Sequence, residues 1–92
     1  MNSGNYKIIL SSKAVKDSKL IIKQNLHEKV KTMLREIENN PYDKTYHFEH
    51  LKYDLKGLCS KRINYKHRLV YEVNEKTKTV IVHRMWSHYE KL

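Results

Sequence analysis

Ninety-two residues suffice for one domain with a single modest core, and a hydrophobic share of 39%, spread with clear periodicity, excludes a wholly disordered chain. Nineteen Lys and Arg against ten Asp and Glu give a formal charge of +9, a field that attracts RNA, DNA, an acidic protein or an anionic membrane face. The lone Cys59 excludes an intrachain disulfide and a thiolate zinc site, and no apolar run approaches the roughly 20 residues of a membrane-spanning helix.

The opening Met1-Asn2-Ser3-Gly4-Asn5 lacks the basic-then-apolar layout of a signal peptide, so the cytoplasm is the expected compartment. Tyr6 to Leu10 is a short β-prone run. Ser11 and Ser12 follow, and a serine hydroxyl there can accept from a free helix N–H. A helix from about Lys13 to Lys23 brings Ala14, Ser18, Ile21 and Ile22 onto one face, and Gln24-Asn25 permits a tight turn. The second helix, about Leu26 to Asn39, carries Leu26, Val30, Met33, Leu34 and Ile37 as one apolar stripe, the mark of a core-facing helix. Asn39-Asn40-Pro41 ends it, because proline disfavours helical geometry in the residue before it.

Beyond Pro41 the period changes. A short strand is predicted around Phe48 to Lys52, and another from Leu58 to Asn64 after Gly57. Tyr65-Lys66-His67 is short enough for a hairpin into Arg68 to Asn74. There Leu69, Tyr71 and Val73 alternate against Arg68, Val70 and Glu72. A polar turn, Asn74 to Lys78, leads to a last strand from Thr79 to about Ser87. The order β-α-α-β-β-β predicts one α+β domain over residues 1–92, an antiparallel sheet with two helices packed on one face.

With the helices on one face, the other can display polar side chains on a rigid base. Arg62 and Arg68 fall on neighbouring strands, where they either hold a phosphate at two points or pair with carboxylates such as Glu72. Glu49 is the one carboxylate between Thr45 and Tyr53; it either accepts a ribose 2′-hydroxyl proton or forms a salt bridge to Lys52 or Arg62. Among six histidines, His88 is distinguished by the aromatic residues Trp86 and Tyr89 at a strand end, a place where bases can stack. His83 is explained by packing or a cross-strand contact. His47 and His50 show no metal-ligand spacing, so neither a metal nor another cofactor is expected.

The run Ser11-x-x-Ala14-x-x-Asp17 resembles the first helix of the RelE/ParE toxin superfamily. Phe48-Glu49-His50-Leu51-Lys52, Leu55-x-Gly57-x-x-Ser60-Lys61-Arg62-Ile63-Asn64, His67-Arg68-Leu69-Val70-Tyr71 and Ser87-His88-Tyr89 together resemble its YoeB/Txe branch. The resemblance implies a bacterial type II toxin that enters the ribosomal A site and cuts mRNA without a metal. It also implies an acidic antitoxin of the YefM type. By motif position Glu49 matches the family's general base, Arg68 its phosphate-stabilising arginine, His88 its general acid and Tyr89 its terminal aromatic. Lys52 and Arg62 match basic positions near the same site. His50 stands where proline is common, Cys59 where an aromatic is common and Lys61 where an arginine is frequent, and the first helix lacks a tryptophan often found near its start. Codon preference stays open, as does the choice between monomer and homodimer. Two other readings share the composition: a ParE-like gyrase poison and a non-catalytic RNA-binding module.

Overall fold

The chain folds as β1 (Lys7–Leu10), α1 (Ser12–Lys23), α2 (His27–Asn39), β2 (Glu49–His50), a 3₁₀ turn (Tyr53–Leu55), β3 (Leu58–Arg62), β4 (Arg68–Asn74) and β5 (Thr79–Arg84). The computed structural model describes residues 5–85. The five strands lie in the order β1-β5-β4-β3-β2. Three of the pairings are antiparallel, and β1 runs parallel to β5 at the edge. That parallel pair makes the sheet mixed. It is possible because both helices intervene between β1 and the rest of the sheet, giving the long crossover that parallel neighbours require.

Ser11 caps α1 as its position implies. Its Oγ accepts from the Ala14 N–H at 3.1 Å and donates to the His83 carbonyl at 2.9 Å, so the cap also ties the helix start to β5. The turn between the helices closes at Asn25, which has φ 59°. The Asn25 N–H bonds the Ile22 carbonyl and the Leu26 N–H bonds the Ile21 carbonyl, both at 3.0 Å, so carbonyls at the end of α1 are satisfied.

The core lies between the helices and one face of the sheet. Ala14, Ile21, Val30, Met33 and Ile37 pack against Cys59, Ile63, Leu69, Tyr71, Val80 and Val82. The stripe of α2 is as the spacing predicts. That of α1 is not: Ile22 is 57% exposed, and Asp17 takes an inward position between Ala14 and Ile21. Residues 14, 17 and 21 follow the helical repeat, and Ile22 lies one step off it.

The strand predicted over Phe48 to Lys52 contracts to Glu49–His50. Tyr46 and His47 before it and Tyr53 after it adopt positive φ, so the extended backbone cannot continue in either direction. The strand begun at Leu58 stops at Arg62 rather than Asn64. In β5 the register slips by one residue opposite Val70 and Tyr71, which pair with Arg84 and Val82. This bulge reverses the alternation beyond Val82 and turns Met85 into the core. Trp86, Ser87, His88 and Tyr89, with the predicted end of the last strand, lie outside the described residues. Among the described residues no helix is long and apolar enough to cross a membrane.

Candidate active site

Register assembles the site. In the β2–β3 pair Glu49 stands opposite Ser60, and in the β3–β4 pair Ser60 stands opposite Val70 and Arg62 opposite Arg68. Directly opposed residues share a face, with Cβ atoms about 4.5–5.5 Å apart. Glu49, Ser60, Arg62 and Arg68 therefore occupy one patch on the face away from the helices. The hairpin that fixes this register is held by Asn64, whose Oδ1 accepts from the Lys66 and His67 N–H groups at 2.9 and 2.7 Å.

Arg68 lies on the central strand and is only 9% exposed, less open than a sheet face free to display polar side chains implies; Ser60 and Val70 beside it are completely buried. The Arg68 Nη1 donates to Ser60 Oγ at 3.2 Å. Ser60 thus anchors the guanidinium one strand away from Glu49. Arg62 stands opposite Arg68 across the β3–β4 pair, so two cationic side chains share this part of the open face.

Glu49 is exposed, and Lys52 is exposed at the start of the 3₁₀ turn. Both line a cleft of about 390 Å³ with His50, Leu51, Tyr53 and Leu55. Tyr53 is 91% exposed, an aromatic surface suited to base stacking that sequence reading passed over. Its signal was an aromatic residue immediately after the Glu49–Lys52 run. A larger cleft, about 660 Å³, adjoins Leu55 on the side of Glu72 and His83. Size does not make it the better candidate: His83 Nε2 and Glu72 Oε1 already meet within it at 3.0 Å, the cross-strand contact expected for His83. The smaller cleft is the one that Glu49 and Lys52 line, and Glu49 stands beside Ser60 and its bond to Arg68.

Cys59 is not a nucleophile in this setting. Its Sγ lies 3.8 Å from His50 Nδ1, but burial pushes the thiol up from its ordinary value, favouring the unreactive neutral form. Among the described residues no three His, Cys, Asp or Glu side chains gather to hold a metal ion. Lys61 proves structural. Fully buried, it donates through Nζ to the Asp43 carbonyl at 2.7 Å and to Thr45 O and Oγ1 at 3.0 and 3.1 Å. Those bonds hold the segment that delivers Glu49. Of the remaining candidates, His88 and Tyr89 fall outside the described residues.

The chain is a small, strongly basic α+β domain with two arginines opposed on the sheet face its helices leave open. Comparison with known proteins sharpens that class. A profile of the YoeB-like toxins of bacterial type II toxin–antitoxin systems matches residues 11–89. Toxin YoeB of a Synechocystis strain is 32% identical over 68 residues, covering 74% of this chain and 77% of that protein. Among solved structures, a YoeB/ParE toxin from Agrobacterium tumefaciens superposes with a TM-score of 0.83 at 26% identity, over 90% of this chain and 99% of that one. The Staphylococcus aureus YoeB dimer gives 0.79 at 29% identity, over 94% of this chain and all (100%) of that one. The heterotetrameric YoeB–YefM complex from the same organism gives 0.77 at 30% identity, over 91% and 98% of the two chains. The chain belongs to the YoeB-like toxin family of bacterial type II toxin–antitoxin systems.

Proposed function

We propose that the chain is a ribosome-dependent endoribonuclease that cuts mRNA in the A site and so stops translation. The observation that carries this reading is the patch formed by register: Glu49 opposite Ser60, Ser60 bonded to Arg68, and Arg68 opposite Arg62. It joins a proton acceptor to a preorganised cationic cradle.

In the proposed reaction Glu49 takes the proton of the ribose 2′-hydroxyl as its oxygen attacks the adjacent phosphorus in line. Arg68, assisted by Arg62, stabilises the added charge on the pentacovalent phosphorus, and Lys52 holds a neighbouring phosphate. His88 gives a proton to the departing 5′-oxygen as the P–O5′ bond breaks, with Tyr89 orienting the substrate. The products are a 2′,3′-cyclic phosphate and a free 5′-hydroxyl, and no redox step or co-reactant is needed. General acid and general base each contribute about 10²–10⁴-fold in such reactions, and preorganised charge adds several kcal/mol more.

The partners on this reading are mRNA on the ribosome and an acidic antitoxin of the YefM kind, in keeping with the complex that the Staphylococcus aureus relative forms. A homodimer is proposed on the same footing, from that relative's dimer. The site of action is the cytoplasm. Primer extension on translating ribosomes tests the assignment: wild-type protein produces discrete stops within codons, and Glu49→Ala and His88→Ala each reduce them by at least about 10²-fold. Undiminished cutting by both variants overturns the residue roles. Growth arrest with intact mRNA and accumulated DNA double-strand breaks overturns the activity itself.

A further inference from the structure

The larger cleft, about 660 Å³, opens on the sheet face that carries Glu49 and the two arginines. Leu58 comes two residues before Ser60 on β3 and Glu72 two residues after Val70 on β4, and the two stand directly opposite each other. Residues two apart on a strand share a face and are separated by about 6.5 Å. Leu58 and Glu72 are thus displaced from Ser60 and Val70 by a step that one nucleotide of an extended strand covers. Leu55 lines both this cleft and the one beside Glu49.

The β5 bulge places a histidine here. Val70 and Tyr71 pair with Arg84 and Val82, which leaves His83 as the extra residue, and a bulge re-aims the side chain it inserts. Val82 and Met85 on either side belong to the core, whereas His83 Nε2 meets Glu72 Oε1 at 3.0 Å on the open face. Both side chains remain part-exposed in the cleft. An exposed pair of this kind adds little stability. What it does is orient: an ionised carboxylate only accepts, so the shared hydrogen sits on Nε2 and holds Glu72 in place. A carboxylate has two oxygens and about four lone-pair sites, and one bond to His83 leaves acceptor capacity on both oxygens.

Two acceptor oxygens side by side fit a ligand with two N–H donors side by side. Among the bases of RNA, guanine has that pattern on its Watson–Crick edge, in N1–H and the 2-amino group. Adenine offers one donor and one acceptor there. Leu55 and Leu58 give a flat base apolar contact. Of the other charges on the cleft, Arg84 is engaged by Asp17 at 2.9 and 3.2 Å, leaving Lys13 and Lys56 against Asp54 to meet a phosphate backbone. The volume falls within the range of small-molecule sites.

We propose that this cleft is a recognition subsite for a guanine next to the cut, in which Glu72, held by His83, accepts from N1–H and the 2-amino group. The subsite rests on the reading of the chain as a ribonuclease. Glu72 reads the base and takes no part in the bond changes.

The test is single-turnover cutting by the full chain on ribosomes carrying synthetic messages. These differ only in the base on one or the other side of the cut: guanine, adenine, cytosine, uracil or hypoxanthine, which is guanine without its 2-amino group. With guanine at one of the two positions, wild-type protein should cut about tenfold faster than with adenine, the scale of a two-point base contact. Over hypoxanthine the gain should be about fivefold, the scale of one hydrogen bond. Glu72→Gln exchanges one acceptor for an amide donor and so matches N1 and the 6-amino group of adenine; its preference should move from guanine to adenine. Equal wild-type rates with guanine and hypoxanthine at both positions overturn the inference, and that comparison needs no variant to fold. A guanine preference unchanged in folded Glu72→Gln overturns it as well. A second measurement needs no cutting: 5′-GMP should shift the His83 ring resonances in NMR spectra of the wild type at about tenfold lower concentration than 5′-AMP. Wild-type protein that cuts no message marks failure of the ribonuclease reading. The nucleotide titration then decides the subsite, and equal shifts by the two nucleotides, or none, overturn it.

Discussion

The ammonium of Lys61 reaches the carbonyl of Thr45 at 3.0 Å from a side chain that is completely buried. The contact is one of three that spend all of its N–H donors on residues 43 and 45, and its charge also lies 5.2 Å from the centre of the Phe48 ring. Burial lowers the Lys61 pKa from its usual value, with nearby Asp43 and Glu36 opposing that shift. A lysine in the interior thus staples the irregular segment before β2 to β3, and with it the backbone of Glu49.

Lys61→Met should therefore lose both fold stability and site geometry. It fills similar volume but leaves three acceptors without their donor, each worth about 1–3 kcal/mol when buried. Partial rehydration of the loop offsets some of that, and the expected cost is about 2–4 kcal/mol in urea unfolding. A cost below roughly 1 kcal/mol, the scale of an ordinary surface change, would mean the staple is not needed.

Arg68 should not tolerate lysine. On the ribonuclease reading its planar fork holds Ser60 and the phosphate together, which a single ammonium cannot do. Arg68→Lys is expected to cut the single-turnover rate by about 10²-fold, comparable to loss of one charge-stabilising donor. Ser60→Ala leaves the guanidinium in place without its anchor, with an expected loss of about tenfold from one hydrogen bond. Thermal melts of both variants distinguish these losses from unfolding. Wild-type rates in both would remove this pair from the chemistry.

Several local signals in the sequence were sound, although the apolar stripe of α1 and the length of β2 were not. The stripe through Val30, Met33 and Ile37, the Ser11 cap and the limits of β4 at Arg68 and Asn74 all follow from side-chain period or capping chemistry within a few residues. What eluded sequence reading depends on distant partners. The parallel pairing of β1 with β5 joins residues about 70 positions apart, and no local pattern encodes it. Asp17 and Lys61 look like surface charges until their partners, Arg84 and the carbonyls of Asp43 and Thr45, are placed. The patch itself was half legible: the residue types were evident, whereas Glu49 facing Ser60 and Arg62 facing Arg68 are matters of register.

Asn25 tests the turn that sets α1 against α2. Its φ of 59° lies in the left-handed region, which asparagine tolerates better than most residues and glycine adopts freely. Asn25→Ala should destabilise the fold by about 1 kcal/mol, near the lower end of the left-handed penalty. Asn25→Gly should be close to neutral. Equal stability of the two variants in urea melts would contradict a backbone origin.

His67 gives the fold a pH dependence of predictable sign. It is 6% exposed at the base of the β3–β4 hairpin, and burial lowers its pKa below the ordinary histidine value, with Lys66 adding to that and Asp17 opposing it. The folded state thus favours the neutral imidazole, and on acidification the unfolded chain takes up its proton first, at about pH 6.5. Stability contributed by the neutral ring is present above that value and is lost as the pH falls through it toward the lower folded pKa. His67→Gln cannot titrate, so its melting temperature should drop less than the wild type's between pH 7.5 and 5.5. Other groups titrate alike in both proteins, which makes the difference between the two drops the measured quantity. A larger drop in the variant would reverse the sign and show that the folded state prefers the charged ring.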